Sequence, residues 1–199
     1  MQSLKIFTIG HSNHKLEYFI GILQKTGISA IADVRSSPYS RFTPHFNRKE
    51  LEIALKRENI AYVFLGDQLG ARTKDRSCYI DGQASYERIE QSKFFQEGLQ
   101  RVLDGAQKYN IALMCAEKEP LDCHRTILVA KVLKEKGIQI VHILADGALE
   151  DSIITDNRLL AMVGKETCDF FSDPLQQAYE IRGKQIAYRE EKETELTTA

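Results

Sequence analysis

Apolar positions along the chain alternate between two rhythms. Leu4-Lys5-Ile6-Phe7-Thr8-Ile9 is a short β-rich run closing at Gly10, and Leu16, Phe19, Ile20 and Leu23 then recur at helical spacing until Gly27. Ser12 or Asn13 is expected to cap that helix. Ile28 to Val34 reads as a second strand. Asn47 with Glu50 forms a capping-box pattern that opens a helix to about Glu58, and Ile60 to Leu65 is a third strand. Phe94, Phe95, Leu99, Val102 and Leu103 mark a helix ending near Tyr109-Asn110. Ile111 to Cys115 is a fourth strand, and Cys123 to Lys136 a helix stopped by Gly137. Ile138 to Leu144 is a fifth strand, followed by a turn at Asp146-Gly147.

Strand-helix units in series predict an α/β fold: a single Rossmann-like domain, with a mainly parallel five-stranded sheet flanked by helices on both faces. The simplest right-handed order is 3-2-1-4-5. Residues 1–165 make up this domain. Residues 166–199 read as a peripheral C-terminal helix, starting at Ser172-Asp173-Pro174, and a polar tail. Ligands in such sheets sit beyond the carboxyl ends of the strands, where the strand order reverses. That rule gathers His11-Ser12-Asn13, Asp33-Val34-Arg35 and Cys115-Ala116-Glu117 at one place.

Composition narrows the class. At 199 residues and 43% apolar the chain suits one well-cored domain, and a formal net charge of -1 gives no bulk drive toward nucleic acid or membrane. There is no apolar run of about 18 residues and no signal-like N-terminus, so no membrane partner is expected. Cys78, Cys115, Cys123 and Cys168 are widely spaced and read as reduced thiols, which makes the cytoplasm the expected location.

Two stretches carry the chemistry. Asp33 to Asn47 is a long loop with two prolines, in which Arg35, Arg41 and His45, with Arg48 just beyond, alternate with Tyr39, Phe42 and Phe46. Cations that hold phosphate beside rings that stack on bases suit a nucleotide or a single strand; the alternative is a proline-ordered flap packed on the core. Met114 to Arg125 joins a strand end to a helix start through Cys115, Glu117, Pro120, Asp122, Cys123, His124 and Arg125. Together with Thr8-Ile9-Gly10-His11-Ser12-Asn13, and with weaker matches at Leu65-Gly66, Leu69-Gly70 and Tyr86, these motifs resemble the domain of unknown function 488 family. The resemblance spans roughly residues 4 to 145, with Ala71 standing where a second glycine is expected after Gly70. It implies an α/β fold and an intracellular bacterial or archaeal origin, and it supplies no reaction.

Several roles follow as expectations. Asp122 would cap a helix start at Cys123-His124-Arg125, where free N–H groups and Arg125 hold an anion; alternatively Arg125 pairs with Asp33, Glu117 or Glu119. Asn13, Arg35, Arg41, His45, Cys123 and His124 would join Arg125 in binding substrate. Glu117 and His11 would do acid/base work, with Asp33 grouped with them or orienting Arg35. A cysteine-phosphatase loop is excluded, because position 121 is Leu and position 129 is Val where an arginine six residues on would be needed. The gap between Cys115 and Cys123 is wider than a zinc-knuckle pair, so neither metal nor cofactor is expected. The leading expectation is an enzyme that hydrolyses a phosphate-bearing substrate or cleaves its glycosidic bond, most plausibly a nucleotide or nucleic acid. Alternatives are a non-catalytic nucleotide or nucleic-acid binding module and a cysteine-dependent thiol enzyme.

Overall fold

The computed structural model describes residues 4–164 and 173–190, so Cys168 and Ser172 lie outside the described residues. Its elements are β1 (Lys5–Gly10), α1 (Leu16–Lys25), β2 (Ala30–Asp33), α2 (Arg48–Arg57), β3 (Ala61–Phe64), α3 (Gly66–Leu69), β4 (Tyr79–Ile80) and β5 (Gln83–Ala84). There follow α4 (Tyr86–Gln91), α5 (Lys93–Ala106), β6 (Ile111–Cys115), α6 (Lys131–Glu135), β7 (Gln139–Ile143), β8 (Leu149–Asp151), α7 (Ser152–Val163) and α8 (Pro174–Ile186). Residues Arg125–Ala130, running directly into α6, form a wider π-helical turn.

The main sheet has six strands in the order β3-β2-β6-β1-β7-β8, parallel except for β8. The α/β class with a mainly parallel sheet is as the patterning predicts, but the strand order is not. The predicted fourth strand, β6, lies between β2 and β1 rather than outside β1. Hydrophobic patterning does not distinguish adjacent buried strands, and here the difference lies in completeness of burial. All five residues of β6 are buried, whereas β1 begins at exposed Lys5. The sixth strand arises because the Asp146-Gly147 turn folds Leu149–Asp151 back along β7 as a hairpin.

Side-chain alternation along β6 assigns the two layers. Ala112 and Met114 face α1 and α2, joining Phe19, Leu23, Leu51 and Leu55 in one core. Ile111, Leu113 and Cys115 face the opposite layer, with Phe95, Leu99, Val102 and Leu128. The chain moves one way along the sheet from β1 through β3 and returns through β6 to β7, so right-handed crossovers put the outgoing and returning helices on opposite faces. The reversal falls at β6 and its neighbours. The His11 N–H donates to the Cys115 carbonyl at 2.9 Å, Ser12 N–H to Ala116 at 2.9 Å and Val34 N–H to Met114 at 3.0 Å. Three strand ends are thereby stitched together.

That stitching also explains why α1 starts late. Residues 11 and 12 extend the ladder, with Ser12 in left-handed backbone (φ 50), so neither Ser12 nor Asn13 caps the helix; Lys15 stands at the cap. Asn47 does occupy the α2 cap, but its Oδ1 accepts from Ser40 N–H at 2.7 Å and ties down the preceding loop. The segment from Gly66 to Ser85 is less irregular than its composition suggests, holding α3 and the β4–β5 hairpin.

Candidate active site

Cys115 ends β6 on the face that meets the helix starting at residue 124. The intervening loop makes a 3-10 turn over Pro120–Asp122, which returns the chain toward the strand end from which it left. Cys123 is extended and its sulfur accepts from Arg125 N–H at 3.4 Å, so Cys123 rather than Asp122 caps this helix. Asp122 is drawn away by an ion pair with Arg182 of α8, whose Nε also donates to the Leu121 carbonyl at 3.0 Å.

The turn gathers four reactive groups. Cys123 Sγ and Glu117 Oε2 lie 2.9 Å apart and share a hydrogen bond. His124 Nδ1 lies 3.6 Å from Cys115 Sγ and 3.9 Å from Cys123 Sγ, while its Nε2–H donates to the Val34 carbonyl at 3.0 Å. One potential ligand atom from each of Cys115, Glu117, Cys123 and His124 falls within 4.8 Å of all the others. Sequence spacing kept these residues apart; the turn at Pro120 brings them together. Burial pushes the Cys115 thiol well up, reinforced by Cys123 and Glu117 beside it. Burial acts the same way on Cys123, but the Cys115 hydrogen bond, the Arg125 charge and His124 outweigh it and hold that thiol well down. Burial and the neighbouring Cys123 raise the Glu117 carboxyl above its ordinary range.

A second network lies beside it. Asp33, fully buried, accepts from Arg35 Nε and N–H at Oδ1 (2.9 and 3.1 Å). Its Oδ2 accepts from Arg35 NH2 at 2.6 Å and Tyr62 OH at 2.7 Å. Arg35 NH1 in turn donates to His11 Nε2 at 3.1 Å, so His11 carries its proton on Nδ1 and donates it to the Ser12 carbonyl at 2.8 Å. Burial, with the Arg35 charge, lowers the His11 pKa to about 4. His11 stacks on Phe46 with ring centroids 4.3 Å apart. The imidazole is neutral, with both nitrogens engaged, and Asp33 is a four-bond acceptor. Both hold Arg35 in place, a geometry suited to positioning rather than proton transfer.

Arg125 departs furthest from expectation. It is 0% exposed, and NH1 donates to the Glu117 carbonyl at 2.7 Å and NH2 to the Lys118 carbonyl at 3.4 Å. None of the carboxylates suggested as its partners pairs with it, and it does not face the cavity. It clamps the loop that carries Glu117. Gly10 is needed for the same packing, because a Cβ there would lie 1.8 Å from the Glu117 carbonyl oxygen and 3.3 Å from Arg125 NH1.

Above the cluster opens a cavity of about 390 Å³. Cys115, Glu117 and His124 line its floor, Arg35, Arg72, Ser36 and Ser37 supply polar wall, and Tyr39, Tyr86 and Tyr188 supply rings. Of the residues expected to act, Arg35, Glu117 and His124 line this cavity and Cys123 lies directly behind it. Asn13 is exposed and bonded to Ser12, Arg41 is exposed, and His45 donates to the His14 carbonyl at 2.9 Å; none of the three lines the cavity. Phe42, 91% exposed, is also outside it.

The family model described as "Domain of unknown function DUF488" matches residues 15–132. The chain belongs to the DUF488 family. The match takes in Asp33–Asn47 and Cys115–Arg125 and begins just after the Thr8–Asn13 motif. No curated protein and no solved structure matches the chain.

The DUF488 segment does not account for the whole site. Ile186 and Tyr188 of the C-terminal segment also line the cavity. Arg72 stacks over Tyr188 with its guanidinium carbon 4.5 Å from the ring centroid, and Arg72 N–H donates to Ser36 Oγ at 2.9 Å. Sequence reasoning missed Arg72, Tyr188 and Tyr62. Arg72 directly follows Ala71, the position where a second glycine is expected; Tyr188 lies in a polar tail and carries no local signal.

Proposed function

We propose that this protein is an enzyme acting on a small phosphate-bearing substrate with a ring, a nucleotide being the class that fits best, and that Glu117 moves the proton. The observation that carries this is the convergence of Glu117, two arginines and three tyrosines on one cavity of about 390 Å³. Such a volume is within the range for small-molecule sites. Arg35 and Arg72 suit an anion, and the tyrosines offer faces for a base. Glu117 is the acidic group at the floor that combines access with a raised pKa, and hydrolysis is the simplest reaction for it, the carboxylate taking a proton from water. A nucleotide is preferred over a polymer because the cavity is compact and the chain carries a formal net charge of -1. A thiol nucleophile is less well supported: Cys123 is 1% exposed, with its sulfur engaged by Glu117 and by Arg125 N–H.

Calorimetric titration with nucleoside monophosphates, the matching nucleosides and inorganic phosphate tests the substrate class. The expected result is binding of a nucleotide in preference to its nucleoside, weakened by Arg72→Ala by about tenfold or more, as loss of a charge-assisted hydrogen bond implies. Equal binding of nucleotide and nucleoside, or binding of neither, contradicts it.

A further inference from the structure

We infer that Cys115, Cys123 and His124 form a binding site for a thiolate-preferring divalent transition metal, zinc foremost, open toward the cavity on the side that Glu117 faces. The donor spacing is the first argument. Tetrahedral zinc with Zn–S of about 2.3 Å and Zn–N of about 2.0–2.1 Å puts neighbouring sulfur and nitrogen ligands roughly 3.5 Å apart. His124 Nδ1 stands 3.6 and 3.9 Å from the two sulfurs.

The orientation of His124 is the second, independent argument. Donation of Nε2–H to the Val34 carbonyl fixes the tautomer and leaves the Nδ1 lone pair aimed between the thiols. Metal-bound histidines are held by this kind of hydrogen bond on the far nitrogen. Support behind the sulfurs is similar: Arg125 N–H donates to Cys123 Sγ, and the buried Arg125 guanidinium lies on the same loop. Two thiolates and the Glu117 carboxylate balance a divalent ion together with the Arg125 charge.

Donor chemistry selects the metal. Two sulfurs and an imidazole suit zinc and exclude magnesium and calcium, which take oxygen ligands. Burial selects the ligand number. Cys115, Cys123 and His124 are buried, whereas Glu117 as a whole residue is exposed, with its carboxylate turned in to 2.9 Å from Cys123 Sγ. Three protein ligands with a fourth position left open is the arrangement of catalytic rather than structural zinc. A metal there would supply an activated water next to Glu117, which deepens the reading above. The ligand geometry itself rests on no substrate.

The test uses the reduced 199-residue chain, stripped with a chelator and titrated with zinc(II) and with cobalt(II) in the absence of any nucleotide. The expected result is one equivalent of either ion, with cobalt giving a thiolate-to-metal charge-transfer absorption. Cys123→Ser and His124→Ala should weaken binding by more than the roughly 10–100-fold typical of changes behind the ligands, while Glu117→Gln retains one equivalent. Because these variants can also disturb folding, zinc protection is read on the unmutated protein in enough denaturant for the reagent to reach the buried thiols: mass spectrometry should show Cys115 and Cys123 shielded together from alkylation. Absence of stoichiometric binding, alkylation of both thiols unaffected by zinc, or loss of the ion in a folded Glu117→Gln variant overturns the assignment. Since no nucleotide is present, failure here is separate from failure of the substrate reading.

Discussion

Arg35 and Asp33 form a two-pronged buried ion pair, with Arg35 Nε on Oδ1 at 2.9 Å and NH2 on Oδ2 at 2.6 Å. The pair holds a cation at the cavity wall that would otherwise swing free. Asp33→Asn leaves that guanidinium buried without its counter-charge, which is expected to cost about 3–5 kcal/mol in urea denaturation. Tyr62→Phe removes one hydroxyl donor to the same carboxylate but leaves the ion pair in place, and should cost less, about 1.5–3 kcal/mol. Equal effects of the two substitutions would show that the ion pair does not dominate this network.

Arg125 is assigned to the loop and not to a ligand. Arg125→Lys keeps the charge but cannot reach both the Glu117 and Lys118 carbonyls with the same fork. A loss of about 2–3 kcal/mol in stability is expected, as for other buried hydrogen-bonded charges. An unchanged melting temperature combined with weakened phosphate binding would return Arg125 to the anion site.

Gly10→Ala presses a methyl group onto the Glu117 carbonyl, which lies 1.8 Å from where the Cβ would stand. The loop must move, at a cost of about 1–3 kcal/mol. Cys123 should then react faster with a thiol reagent in a protein that is still folded by circular dichroism. Thiol reactivity unchanged from the parent chain would contradict the role given to Gly10.

His11 ties stability to pH. Its native pKa is lowered to about 4 from an ordinary value of 6.5. Between these values the unfolded chain takes up a proton that the native imidazole refuses. The stabilisation is therefore full above about pH 6.5 and falls as pH drops toward 4, by on the order of 3 kcal/mol. Denaturant melts from pH 7 to 4 should show a shallower decline for His11→Asn than for the parent chain, and parallel declines would refute the shift.

The fold class was legible because hydrophobic rhythm depends only on local pattern, and the meeting of three loops because the carboxyl ends of neighbouring parallel strands share one sheet edge whichever of β1 and β6 is the more central. Strand order was not, since Ile111–Cys115 and Leu4–Ile9 are apolar runs that pattern alone cannot rank by centrality. That Glu117, Arg35 and His124 would meet at one place was legible from their positions at element ends, and all three line the cavity. Arg125 misled because charge at a helix start looks the same whether it faces solvent or a carbonyl. The proximity of Cys115 to Cys123 depends on a 3-10 turn at Pro120, and the contribution of Tyr188 on chain returning from α8; neither leaves a spacing signature.

The most direct measurement of the central claim pairs turnover with binding in Glu117→Gln. Each member of a nucleotide panel is incubated with both proteins, products are read by chromatography and affinity by calorimetry. If Glu117 moves the proton, the parent chain converts at least one nucleotide, and the variant binds that ligand with comparable affinity while its turnover falls by about 10²–10⁴-fold. Undiminished turnover in Glu117→Gln, or a parent chain that binds nucleotides and returns every one unchanged, contradicts it.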